Sequence, residues 1–206
     1  MLTAAPVRCV LFLLTLSVTG CTTAPPRDLD NVCAIFREKK GWYADARDAQ
    51  KTWGGDIAIS MAFMHQESRF VARAKPPRRK ILWVIPGPRP SDSYGYSQAL
   101  GSTWEAYKRS AGRYRANRAH FDDAVDFVGW YNHQSFVRSR IPKTDAYRLY
   151  LAYHEGHGGY NRGTYRNKSW LQSVARKVAD RAAMYRGQLA SCESSLRRRR
   201  GLFGWF

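Results

Sequence analysis

The sequence predicts a mainly α-helical protein with one folded domain, and three observations carry that prediction. Apolar residues recur at helical spacing in four separate stretches. Only "ILWVI", Ile81 to Ile85, offers anything like a strand; set between "KPPRRK" and "PGPRPSDS", it reads as a loop or small hairpin. The length left after the two chain ends are set aside suits a single hydrophobic core.

The helices follow in chain order. Ile57, Met61 and Met64 share one face at i, i+4 and i+7, with Ala58 and Ala62 beside them. Phe121, Ala124, Val125 and Val128 form a second stripe, which leaves Asp122, Asp123 and Asp126 to solvent. Thr144 is placed to cap a third helix that carries Ala146, Leu149, Tyr150 and Tyr153 on one side. The longest stripe is Leu171, Val174, Ala175, Val178, Ala182, Tyr185 and Leu189, with Arg176, Lys177, Asp180 and Arg181 facing water.

The first twenty residues stand outside the fold. Arg8, an apolar run from Cys9 to Val18 and small residues before Cys21 have the layout of an export signal, and the run is too short to span a bilayer. "SVTGC" resembles a bacterial lipobox, which implies cleavage before Cys21 and lipid on its thiol; ordinary signal cleavage nearby is the alternative. Thr22 stands where inner-membrane retention signals place Asp, so the expected location is the periplasm, anchored to the outer membrane. Residues 21–30, with Pro25 and Pro26, read as a tether, 31–193 as the domain and 194–206 as a tail. In the tail, "RRRRGLFGWF", four arginines precede Leu202, Phe203, Trp205 and Phe206; it either presses on an anionic surface or has no defined role.

Cys33 and Cys192 remain once Cys9 leaves with the signal and Cys21 is acylated. An even pair in an oxidising compartment points to a disulfide, worth about 4 kcal/mol for so long a loop; two free buried thiols are the alternative.

Charge narrows the partners. The 34 Lys and Arg against 16 Asp and Glu give a net charge of +18. Export, and the lack of a basic strip within a nucleic-acid motif, argue against nucleic acid. The exported polyanion that fits is the cell wall with its peptide carboxylates, although solubility alone also accounts for such charge.

Three short stretches carry chemistry: "HQES" at His65–Ser68, "YGYSQ" at Tyr94–Gln98 and "LAYHEGHGGY" at Leu151–Tyr160. Their order resembles the lysozyme-like lytic transglycosylases of bacterial cell walls, which have a Glu-Ser pair at a helix end, a Gly-Leu-Met-Gln-type turn and an Ala-Tyr-Asn segment running into glycines. The resemblance covers Trp53 to Tyr160. It implies a lysozyme-like helical domain, Glu67 as the catalytic acid, and substrate contacts from Ser68, Tyr96, Gln98, Tyr153 and His154. Tyr96 and Ser97 stand where the family has Leu-Met, and His154 where it has Asn. The Arg73–Ser93 insertion is longer than the family pattern leads one to expect.

Cleaving a glycosidic bond requires a proton for the leaving oxygen. A carboxyl group supplies it near neutral pH only if burial raises its pKa; Met64, Phe70 and Tyr153 are the expected apolar walls around Glu67. Most glycosidases use a second carboxylate, yet no Asp or Glu follows Glu67 until Asp92. The family's route, as the resemblance implies it, needs one: the sugar's N-acetyl group assists, its C6 hydroxyl attacks C1, and a 1,6-anhydro end forms. No cofactor is required. A capping or salt-bridged Glu67 is the plain alternative.

Two other readings compete. His154, Glu155 and His157 invite a metal, but only two residues separate the histidines and glycines interrupt the helix, so no metal site is expected. A wall-binding protein without turnover would keep the groove, with Trp83, Tyr94, Tyr96, Trp104, Trp130 and Tyr131 as sugar-stacking or simply buried rings. A hydrolytic muramidase would differ only in releasing reducing ends.

Overall fold

A computed structural model describes residues 24–78, 80–81 and 85–201. The export signal, Cys21, Trp83 and the apolar end of the tail lie outside the described residues.

Helix α1 (Val32–Glu38) is capped by Asn31, whose side chain accepts from Ala34 N. Helix α2 (Trp42–Trp53) ends at Gly54 in the left-handed conformation, and α3 (Ile57–Ser68) starts on the carboxylate of Asp56. The insertion holds a small antiparallel hairpin, β1 (Lys80–Ile81) with β2 (Ile85–Pro86). Helices α4 (Gly101–Ala111), α5 (Phe121–Ser139) and α6 (Ala146–Arg162) follow, then a 3-10 turn (Thr164–Asn167) and α7 (Ser169–Gly201). The mainly α-helical architecture with a small hairpin insertion is as the sequence predicts.

Helix α3 is the centre of the packing. It lies against α7, α5 and α2, and every residue from Ile57 to His65 is buried. One apolar face was therefore too narrow an expectation: a helix enclosed on all sides is apolar all round. Trp42 forms a second centre, stacked on Phe121 at 3.8 Å and in ring contact with Phe70 and Tyr96.

Four local readings need correction. Asp145, not Thr144, caps α6, because its carboxylate accepts from Arg148 N at 3.0 Å. Asp126 is buried rather than solvent-facing, since Trp53 Nε1 (2.9 Å) and Tyr107 Oη (2.7 Å) both donate to it. Arg181 is drawn from water by an ion pair with Asp30 at 2.6 Å and by the ring of Tyr185. Residues 24–30, read as part of a tether, lie on the domain. Pro26 is buried, Lys39 Nζ donates to Ala24 O (2.7 Å), Gln188 Nε2 to Asp30 O (2.9 Å) and Tyr185 Oη to Leu29 O.

Cys33 and Cys192 are joined by a disulfide between α1 and α7. Helix α7 continues beyond residue 193: Leu196 is buried, and Arg197 pairs with Glu193 at 2.8 Å. The packed body thus takes in the start of the segment read as tail.

Candidate active site

Glu67 sits in the last turn of α3. The chain then turns sharply, with Arg69 (φ 51°) and Phe70 (φ 59°) both left-handed, and Arg69 N closes on His65 O. Two successive non-glycine residues with positive φ are unfavourable unless packing holds them. Phe70, wholly buried against Trp42 and His65, is the anchor that does so.

Glu67 is half-buried, with its carboxyl group crowded by the surrounding protein. Burial raises its pKa to about 7, against a smaller opposing effect from a hydrogen bond: Tyr150 Oη donates to Glu67 Oε1 at 2.9 Å. Tyr150 is therefore part of the site, although sequence reasoning placed it only in the core stripe of α6. One turn on, Tyr153 Oη donates to Ser97 O at 2.6 Å. Burial, and next the nearby Glu67 charge, hold the Tyr153 phenol well above its ordinary pKa. Phe63 meets both tyrosine rings edge-on, at 5.3 and 5.2 Å, and so sets α6 against the Glu67 end of α3.

The second motif serves as a brace. Ser68 Oγ is buried and donates to Tyr96 O at 2.7 Å, tying α3 to the turn. The Tyr96 ring is core, packed on Trp42 and Phe121. Gln98 adopts φ 49°; its amide nitrogen donates to Gly95 O (2.8 Å) and Ala74 O (3.0 Å), and its carbonyl accepts from Ser93 Oγ (3.1 Å). These three side chains, which the resemblance gives as substrate contacts or, for Ser68, as structural, are bonded or packed within the turn beside Glu67. Gly95 makes the turn possible: at φ 82° an added Cβ would lie 2.0 Å from Arg118 O.

The third motif divides at Gly156, where φ 70° and ψ 157° break α6. His154 stays exposed, with Nδ1 3.1 Å from Glu155 Oε1 and its ring edge-on to Trp170. Burial alone would raise the pKa of Glu155, but hydrogen bonds from Lys168, Thr164 and His154 outweigh it and bring it to about 2. His157 leaves in another direction, stacked on Tyr131 with Nε2 3.0 Å from Ser135 Oγ. Burial, reinforced by Arg138, lowers its pKa to about 4. The kink thus separates the two histidines. Of the rings considered for sugar stacking, Trp104, Trp130 and Tyr131 are buried with Tyr96, and Tyr94 is half-buried.

Two hollows lie elsewhere. One, of about 360 Å³, is bounded by α3 and α7 at His65, Gln66, Lys177 and Met184. The other, of about 350 Å³, is bounded by Lys75, Arg89, Tyr94 and Arg118. Glu67 lines neither.

Set against known proteins, the chain matches the Transglycosylase SLT domain family over residues 9–192, and it belongs to that family. Its single lysozyme-like helical domain agrees with this membership, which carries a peptidoglycan-related function of the lytic transglycosylase type. No curated protein and no solved structure matches the chain.

Proposed function

We propose that the protein cleaves the MurNAc–GlcNAc bond of peptidoglycan by lytic transglycosylation, with Glu67 as acid and then base. The observation that carries this reading is the half-buried Glu67 carboxyl at the end of α3, held through Oε1 by Tyr150; burial pushes its pKa up to about 7, which leaves it partly protonated near neutrality. Tyr150 engages Oε1, so Oε2 is the oxygen left to address the sugar. In the first step that oxygen gives its proton to the glycosidic oxygen as the bond to C1 breaks, while the N-acetyl carbonyl oxygen stabilises the positive centre. In the second, the C6 hydroxyl bonds to C1 and its proton returns to Glu67. The enzyme ends as it began, and the glycan ends in a 1,6-anhydro sugar. Burial and the Tyr150 hydrogen bond are the two influences that set the Glu67 pKa, and this route asks for no second carboxylate.

His154, with its exposed ring, and Tyr153, near enough to feel the Glu67 charge, are proposed substrate contacts, with Ser68, Tyr96 and Gln98 positioning the turn beside them.

The mature chain is proposed to be exported and lipid-anchored at Cys21 to the outer membrane. The described chain begins at Ala24, held by Lys39. Shortly after Lys39 in the chain, Tyr43 accepts from Arg197 Nε at 3.3 Å, at the arginine-rich end of α7. Lipid and arginine run would then approach one anionic surface together. Labelling with a radioactive fatty acid tests this: label on the unsubstituted chain that is lost in Cys21→Ala is expected, and an unlabelled chain contradicts the anchor.

The reaction is tested by incubating the mature chain with purified peptidoglycan and identifying the released sugar ends by mass spectrometry. Anhydro ends that vanish in Glu67→Gln are expected. Reducing ends would make it a muramidase, and no products with binding retained would make it a wall-binding scaffold.

A further inference from the structure

The second hollow opens on the loop that separates Glu67 from the Gln98 turn. Lys75, Arg89 and Arg118 bring three cationic side chains to its wall, with Ser91, Ser93 and Tyr94 between them. Lys75 Nζ lies 5.6 Å from the centre of the Tyr94 ring, and the Arg118 guanidinium 5.4 Å. Arg118 also donates to Ala99 O (2.9 Å) and Asp92 O (3.1 Å), and Arg89 donates to Pro76 O. These partners are carbonyl oxygens and an aromatic face; none is a carboxylate. The acid in the wall, Asp92, accepts from Gly101 N at 3.0 Å and so caps the start of α4. Three like charges around one depression raise its positive potential, and an arriving anion relieves their repulsion.

One turn links this hollow to Glu67. Ser93 Oγ donates to Gln98 Oε1, and the neighbouring Ser97 carbonyl receives the Tyr153 hydroxyl beside the Glu67–Tyr150 pair. Peptidoglycan carries carboxylates on the peptide stems of its glycan. We infer that the hollow is a carboxylate-binding subsite that holds a peptide stem of the strand on which Glu67 acts. This rests on the peptidoglycan-cleaving reading above. Arg89 offers a planar fork for the carboxylate, Lys75 a mobile point charge, and Arg118, pinned by carbonyls, a fixed field.

The test is co-sedimentation of the full chain, in a Glu67→Gln background, with native peptidoglycan and with peptidoglycan whose carboxylates have been amidated. Lys75→Ala/Arg89→Ala is compared with Arg109→Ala/Arg176→Ala, which removes equal charge from exposed positions elsewhere. Lys75→Ala alone serves as a further variant, because that side chain is exposed and unfolding is not at issue. The hollow variant is expected to bind native peptidoglycan roughly tenfold more weakly than the control variant, and to match it on amidated material. Equal losses in both variants overturn the subsite, as does a hollow-specific loss that survives amidation or a parent chain that binds neither preparation. Release of anhydro ends by the unsubstituted chain is scored separately. Its absence beside an intact binding difference removes the cleavage reading and leaves the subsite standing.

Discussion

Tyr150 Oη donates to Glu67 Oε1 at 2.9 Å, joining α6 to the end of α3 across 83 residues of sequence. The bond stabilises the ionised form of an acid that burial otherwise holds in its protonated form. Two opposed influences thus act on one carboxyl group, and they can be separated by substitution.

Tyr150→Phe removes the influence that lowers the pKa and leaves the burial. The Glu67 pKa then rises further, because the ionised form loses its donor. The alkaline limb of the pH–rate profile should move upward, with the melting temperature little changed. A limb that stays in place contradicts the assigned hydrogen bond.

Glu67→Gln is expected to stabilise the fold, and only above a certain pH. The folded-state pKa lies above the ordinary 4.5, so the native state binds the proton more tightly than the unfolded chain. Below pH 4.5 both states are protonated and the carboxyl costs nothing. From pH 4.5 to 7 the unfolded chain ionises more readily, and the native state loses ground until the penalty levels off at about 3 kcal/mol. Urea unfolding at pH 4 and pH 8 checks this: Gln should match Glu at the lower pH and exceed it at the higher.

Glu67 was legible in the sequence as a candidate acid, and its hydrogen-bond partner was not. Glu67 stands next to Ser68 at the end of a helix, a pattern short enough to see along the chain. Tyr150 and Tyr153 share an apolar stripe with Leu149, and nothing local distinguishes a packing ring from one whose hydroxyl has work in the site. One usable signal was present: a phenol on a buried face requires a hydrogen-bond partner, and two lie three residues apart here. Gln98 shows a different limit, because the resemblance gives its amide to the sugar while the structure bonds that amide to Ala74 O and Gly95 O, contacts no local pattern announces. The docking of residues 24–30 was beyond reach for a similar reason, since the partners Tyr185 and Gln188 lie more than 150 residues away.

Gly95→Ala and Gly156→Ala separate two kinds of backbone demand. At Gly95 the new methyl meets Arg118 O, so the turn that braces Ser68 and Tyr153 must move. Activity should fall at least tenfold, with a stability loss of about 2–3 kcal/mol. At Gly156 the added carbon meets nothing within 4 Å beyond the adjoining backbone, and the strain of φ 70° acts alone. A loss of about 1–3 kcal/mol is expected there from thermal unfolding, without the collapse in turnover.

Replacing Cys33 and Cys192 with Ser opens a covalent loop of 159 residues' separation. The chain-entropy argument sets the loss at about 4 kcal/mol, read as a lower denaturation midpoint. The same drop should follow from reducing agent on the unsubstituted chain, and insensitivity to reductant contradicts it.

The most direct measurement of the central claim is a carbon-13 NMR titration of the Glu67 carboxyl, assigned by its loss in Glu67→Gln. A midpoint near pH 7 is the predicted result. A midpoint at the ordinary carboxylate value of about 4.5 would mean that Glu67 holds no proton for a sugar bond at neutral pH, and the proposed chemistry fails with it.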